Sequence, residues 1–242
     1  MARTIAIVQA RVGSTRLPGK ILKPINGKPA IYWVMARTAA ASKVDKVILA
    51  TSKNPENDIL ANLAKIEGWN IYRGNEDDVV SRFIDVAEIE EPKMVVRVCA
   101  DNFAIDPDVI DKTIEHVQQK NLDICNPFLD HQYPFGAGAE VATTACLKRV
   151  GHTTRDQDPK YREHVFFWAY DHPELFRISG LQAPATSNRP KISISVDTDD
   201  DLTRLKKIYQ ALRGSETSFR TPELIQAWDE LGLTVPAMAA NI

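Results

Sequence analysis

Three fixed cations, two glycines, two hydroxyls and one proline fall within Gln9–Lys20, QARVGSTRLPGK, directly after the apolar run from Ile5 to Val8. Arg11 and Arg16 carry forked donors that match phosphate oxygens, and Lys20 adds a point charge. Glycines at positions 13 and 19 let backbone N–H groups approach an anion closely, and successive N–H groups form a concave nest for one. Together with Ser14, these types in this order describe a polyphosphate-binding loop after the first strand of an α/β sheet. The Walker loop is excluded. Five residues separate Gly13 from Gly19 where that motif has four, and Ile21 stands where its magnesium-binding hydroxyl belongs. No G-x-G-x-x-G occurs, so the dinucleotide fingerprint is excluded too.

Phosphoryl or nucleotidyl transfer on such a loop calls for a metal. Magnesium takes oxygen ligands and keeps several waters, so one or two carboxylates suffice. Asp101 follows the strand-like RVCA, and Asp197 follows the strand-like ISISV. Aspartates at the ends of two buried strands can meet over one ion. The other role open to each is to cap the helix after it. Asp199 and Asp201 lie in the acidic first turn of a helix and are assigned to capping.

The elements that must position these groups alternate in type. Strands are expected at Thr4–Ala10, Val44–Ala50, Trp69–Tyr72 and Met94–Val98. Helices are expected from Pro29 to Ala41, from Pro55 to a stop at Gly68, over Val79–Ile89, and from a cap at Asp106 to Lys120. Strand-helix alternation means a parallel sheet covered by helices on both faces, with ligands at the carboxyl ends of the strands. The loop at Gln9–Lys20, Thr51-Ser52, Arg73 and Asp101 all fall at such ends. The second half is less regular. A loop at Tyr133–Gly138 precedes a strand at Glu140–Thr144 and a helix at Ala145–Gly151. One aromatic helix is expected over Lys160–Asp171, strands at Phe176–Leu181 and Ile192–Val196, and helices at Asp199–Leu212 and Pro222–Leu231. No internal repeat or long linker appears, which favours a single domain over residues 1–242.

Composition narrows the class. The chain has 242 residues and a formal net charge of −2, without the basic face that nucleic acid requires. No apolar run approaches the roughly 18 residues of a membrane helix. The start, MARTIAIVQAR, lacks the apolar core and cleavage site of a signal peptide. Cys99, Cys125 and Cys146 are odd in number and widely spaced, which fits reduced cytoplasmic thiols packed in the core.

The blocks IVQARVGSTRLPGKIL, ILATSKNPEND, RGNEDDVVSRF, RVCADNFAIDP, REHV and SVDTDDDL occur in matching order over most of the chain. They resemble the spore-coat-polysaccharide-type cytidylyltransferases, relatives of the acylneuraminate and deoxy-octulosonate cytidylyltransferases. The resemblance implies a glycosyltransferase A-type nucleotidyltransferase fold: a mixed, mostly parallel sheet flanked by helices, with a small substrate-side lobe at about residues 130–190. It implies CTP and an acidic sugar or related acceptor as substrates, a CMP conjugate and pyrophosphate as products, Mg2+ as cofactor, and a homodimer.

Carried over by residue, Arg11, Ser14, Arg16 and Lys20 match the triphosphate loop, with Gly13 between them. Asp101 and Asp197 match the magnesium carboxylates and, with Arg11, Arg16 and Lys20, form the catalytic set. Ala10 and Arg11, Arg73, the turn up to Asp78, and Arg97 belong with the nucleotide. Glu140, Arg162, Glu163 and His164 fall where the acceptor is expected, although Arg162 and Glu163 equally suit an ion pair and His164 equally suits a packing role. The segment Asn102-Phe103-Ala104 departs from the small polar residue and Pro-Leu usual at that point, which leaves the acceptor's identity open but not the metal role of Asp101. Two further readings stay open: a different nucleotide with a phosphonate or sugar-phosphate acceptor, and a non-catalytic nucleotide-binding relative.

Overall fold

The computed structural model describes residues 3–234. Its sheet is organised on β1 (Thr4–Gln9), in which Ile5, Ala6, Ile7 and Val8 are fully buried. A strand covered on both faces has no solvent side, so it reads as an unbroken apolar run. Ile5 and Ile7 enter one apolar layer and Ala6 and Val8 the other, following the strand's period of two.

A small hairpin, β2 (Pro24–Ile25) and β3 (Lys28–Pro29), leads into α1 (Ala30–Ala39). Then come β4 (Lys46–Ser52), α2 (Asp58–Glu67), β5 (Asn70–Gly74), α3 (Val79–Glu90), β6 (Met94–Cys99) and α4 (Pro107–Lys120). The chain continues through β7 (Ile124–Cys125), β8 (Glu140–Thr143), α5 (Thr144–Thr153), α6 (Lys160–Glu163), α7 (Phe167–Asp171) and β9 (Ile178–Ser179). It closes with α8 (Asp199–Ala211) and α9 (Thr221–Glu230).

The seven-stranded sheet has the order β5-β4-β1-β6-β8-β7-β9. The first four strands are parallel, β8 runs antiparallel to β6 and β7, and β9 is parallel to β7. This is the mixed, mostly parallel sheet expected from the sequence. Residues of α1, α2, α4, α8 and α9 fill one apolar layer, and residues of α3, α5 and α7 fill the other. After β1 the chain builds outward through β4 and β5, then returns to place β6 on the other side of β1. The loops after β1 and β6 therefore diverge, and the crevice they leave is the usual ligand position of such sheets.

Three expectations are corrected. The aromatic helix is two short pieces, because His164 ends α6 in an extended conformation and helix resumes only at Phe167. The break lets Val165 and Phe166 both bury completely, and that burial overrides local helicity. Ile192–Val196 is not a sheet strand. It runs extended against the loop before β8: Phe135 N–H donates to Ile192 O and Ile194 N–H to Phe135 O, each at 2.9 Å. Its period-two burial survives, with Ile192, Ile194 and Val196 in the core. The strand at Phe176–Leu181 shrinks to β9.

Candidate active site

The polyphosphate-type loop is held from below by one buried asparagine. Asn57 Oδ1 accepts from Val12 N–H at 2.8 Å, and Asn57 Nδ2 donates to Ser52 Oγ at 2.8 Å. Ser14 Oγ accepts from Leu17 N–H at 3.4 Å. Leu17 O accepts from Lys20 N–H at 3.1 Å across Pro18 and Gly19. Gly19 has φ +65°, the left-handed value the third position of such a turn requires. This turn throws the Lys20 side chain under the loop rather than out to solvent. Among the described residues, the N–H groups of Gly13, Ser14, Thr15 and Arg16 meet no acceptor of the chain.

Lys20 is the junction of the site. Its ammonium donates to Asp101 Oδ2 at 2.9 Å, Val196 O at 2.8 Å and Asp197 Oδ1 at 3.0 Å. Burial alone would lower its pKa, but Asp101 and Asp197 outweigh this and hold it above the ordinary lysine value. Arg16 adds a contact to Asp197 Oδ1 at 2.9 Å. The two aspartates are also knitted through the backbone, since Val196 N–H donates to Asp101 O at 3.1 Å. That bond is available because 192–196 left the sheet ladder. Gly136, at φ +93°, permits the close approach: a Cβ there would stand 2.9 Å from Ser195 N.

These groups surround a cleft of about 790 Å3 at the carboxyl ends of β1 and β6. Of the residues singled out by sequence, Ala10, Arg11, Gly13, Ser14, Arg16, Lys20, Arg97, Asp101, Asp197, Glu163 and His164 line it. Arg11 lies 3.3 Å from Glu163 and 3.9 Å from Glu76, a tie between the loop and α6 across the cleft. His164 is exposed and packs edge-on to Phe167.

Four others are engaged elsewhere. Arg73 donates to Ser52 O and Asn54 O and pairs with Asp58 at 2.7 Å, pinning the start of α2. Asp78 caps α3 through Ser81 N–H and pairs with Arg162 at 2.7 Å. Arg162 also donates to Gly151 O and Thr154 Oγ1. Glu140 lies behind Arg97, bound to it and to Tyr170 Oη. Burial would lower the pKa of Arg97, but Cys99 and Glu140 beside it raise it above the ordinary value. Phe103 is fully buried, and its carbonyl accepts from Tyr209 Oη at 2.6 Å. The departure at that position therefore packs the core.

Glu76, in the turn up to Asp78, lines the cleft, while several lining residues escaped sequence reading: Glu56, Arg82, Cys99, Phe135 and Ser195. Arg82 sits within the RGNEDDVVSRF block, whose charged pattern was the available signal. Cys99 alternates with Arg97 on β6, but a lone thiol carries no such signal. Burial pushes its pKa up to about 11, which disfavours the thiolate.

Asp101 Oδ1 and Asp197 Oδ2 accept no hydrogen bond among the described residues, so each carboxylate keeps one oxygen for a ligand. No group of three or more His, Cys, Asp or Glu suited to a metal occurs among those residues. Two carboxylate oxygens beside a cation-rich loop fit magnesium, which keeps waters and shares its shell with phosphate oxygens.

A mostly parallel sheet with a cation-rich loop after β1 and paired aspartates across its cleft defines an enzyme of the nucleotidyltransferase class. The cytidylyltransferase family profile matches residues 5–217, and the chain belongs to that family. It is 31% identical over 228 residues to the spore coat polysaccharide biosynthesis protein SpsF of Bacillus subtilis, covering 90% of this chain and 91% of that one. A cytidylyltransferase from Leptospira borgpetersenii serovar Hardjo-bovis has the same fold, with a TM-score of 0.88 at 22% identity over 100% of both chains. A CMP:2-keto-3-deoxy-manno-octonic acid synthetase solved in complex with CTP gives a TM-score of 0.65 at 18% identity, over 87% of this chain and 99% of that one.

Proposed function

We propose that this enzyme transfers CMP from CTP to the hydroxyl of an acidic sugar or closely related acceptor, releasing pyrophosphate. The observation that carries the reading is Lys20 held between Asp101 and Asp197 directly beneath the loop of Arg11 and Arg16. The name of the CTP-bound structural relative supports both the nucleotide and the acceptor class.

The chemistry is in-line attack of an acceptor oxygen on the α-phosphorus, which depends mostly on positioning and charge neutralisation. Arg11, Arg16 and Lys20 neutralise charge that builds on the departing pyrophosphate, each contact lowering the barrier by on the order of 3 kcal/mol. The free N–H groups from Gly13 to Arg16 add fixed dipoles for the same oxygens. Asp101 and Asp197 would hold Mg2+, which would supply Lewis-acid polarisation of the α-phosphate. Glu163 and His164, across the cleft from the loop, orient the acceptor, and Ala10 with Arg97 lies on the nucleotide side. Two free buried thiols, Cys125 and Cys146, suit a reducing compartment such as the cytoplasm.

The test incubates the protein with Mg2+ and each of CTP, UTP, ATP and GTP, with 2-keto-3-deoxy-manno-octonate and other sugar acids as acceptors, and follows pyrophosphate. Release with CTP and one acid is expected. A protein that neither gains thermal stability from CTP nor releases pyrophosphate with any pair would defeat the proposal.

A further inference from the structure

Arg82 is charged, buried and unpartnered in the wall of the cleft. It extends from α3 and lines the cleft beside Glu76, Val79 and Arg97. The residue is only 3% exposed, and neither Nε nor Nη1 has a hydrogen-bond partner. Among the described residues no carboxylate lies within ion-pair distance of it. Glu76 and Asp78 attract it from farther away, while Arg11 repels it.

A guanidinium does not give up its proton in a protein, so burial cannot be relieved by neutralisation. A buried charge with open donors is expensive to keep unless something binds it. The fold makes specific room for it. A Cβ on Gly74 would stand 2.7 Å from Arg82 Cγ, so the stem of Arg82 runs through space that only glycine leaves. The other cations contrast with it. Lys20 and Arg16 are already matched to Asp101 and Asp197, and Arg97 to Glu140.

We propose that the Arg82 guanidinium is the receptor for an oxyanion, carboxylate or phosphoryl, carried by a substrate. The substrate assignment rests on the reading of this cleft as the site for CTP and a sugar acid. Arg11, Arg16 and Lys20 already serve the triphosphate, so the acid group of the acceptor is the expected source.

The first experiment needs no catalysis. Wild type and Arg82→Met are melted while inorganic phosphate is titrated, with pyrophosphate held at saturation to fill the loop of Arg11, Arg16 and Lys20. Arg82→Met keeps the stem and removes the charge, so it is expected to melt no lower than wild type without phosphate. It is also expected to lose the phosphate-induced rise that wild type shows. No response in wild type, or a response that persists in Arg82→Met, overturns the proposal. Should Arg82→Met fail to fold, Arg82→Lys decides. It retains the charge without the fork, and phosphate should bind about tenfold more weakly; unchanged binding overturns the proposal.

The second experiment separates the sources by measuring CTP affinity with Mg2+ and the KM for 2-keto-3-deoxy-manno-octonate in the same variants. A roughly tenfold rise in KM with CTP affinity kept assigns the acceptor carboxylate. The reverse pattern assigns the triphosphate. Both unchanged overturns the substrate role. The phosphate response stands or falls independently of whether CMP transfer is observed, so failure of the functional reading and failure of the Arg82 site are distinguishable.

Discussion

Asp101 and Asp197 present one oxygen each to the same atom, Lys20 Nζ, at 2.9 and 3.0 Å. Two carboxylates from distant parts of the chain are held at one point by one ammonium, and each keeps a second oxygen open. Lys20 is therefore the spacer that stops two like charges from repelling.

Replacing Lys20 by Met leaves the two aspartates facing each other without compensation. Pyrophosphate release should fall by about 10²–10³-fold, the effect of losing one charge-stabilising donor. The folded-state pKa of Lys20 is raised, so its stabilising contribution is fully present below the unfolded value of 10.5 and is lost as pH rises through the folded value. The stability gap between wild type and Lys20→Met should thus be flat at neutral pH and close only in strong alkali. Melting curves across pH check it.

Chelation should abolish turnover, and Mg2+ should restore it. Asp101→Asn and Asp197→Asn each replace an open carboxylate oxygen by a neutral group, so Mg2+ should no longer tighten CTP binding. Calorimetry with and without Mg2+ measures this apart from chemistry. A metal-dependent gain in CTP affinity that survives in both variants would contradict the assignment.

Arg97 and Glu140 form a pair with side chains only 14% and 10% exposed. Glu140→Leu strands a buried cation and should cost about 3 kcal/mol or more in urea unfolding. The double replacement Arg97→Met with Glu140→Leu should recover most of that loss, because removing both charges removes the desolvation cost as well. Activity should not recover, since Arg97 lines the cleft.

Glu90, at the end of α3, clasps Lys46 at 2.5 Å and Arg3 at 2.6 Å, closing the outer ends of β4 and β1. The bond to Lys46 is the main cause of a lowered Glu90 pKa; burial opposes it and Arg3 adds to it. A depressed acid stabilises fully above its unfolded value of 4.5, and that stability is lost as pH falls through the folded value. Glu90→Gln should cost about 1 kcal/mol at neutral pH. The difference from wild type should vanish in strong acid, as measured by unfolding at a series of pH values.

Much of this molecule was legible from local rules. The buried parallel strands are apolar runs because both their faces are covered, and Asp106, Asp201 and Gly68 mark helix ends through side-chain caps or left-handed φ. The cations and glycines of Gln9–Lys20 were legible because their chemistry lies in residue type and backbone freedom, both properties of a short segment. The break at His164–Phe166 was not, since it depends on which side chains the core accepts. Nor was the fate of 192–196, whose alternation suits a sheet strand and a loop-bound segment equally well.

The chain's own order of residues determined the strand-helix alternation, the loop's charge and the two aspartates. Tertiary structure alone decided that one lysine would bridge those aspartates, that Arg162 would pair with Asp78 outside the cleft wall, and that Arg82 would be buried without a partner. The reason is physical. Helix and strand patterns, caps and turns are short-range consequences of side-chain shape and backbone angles. Charge pairing and burial depend on distances between residues far apart in sequence, and those distances exist only once the sheet has closed.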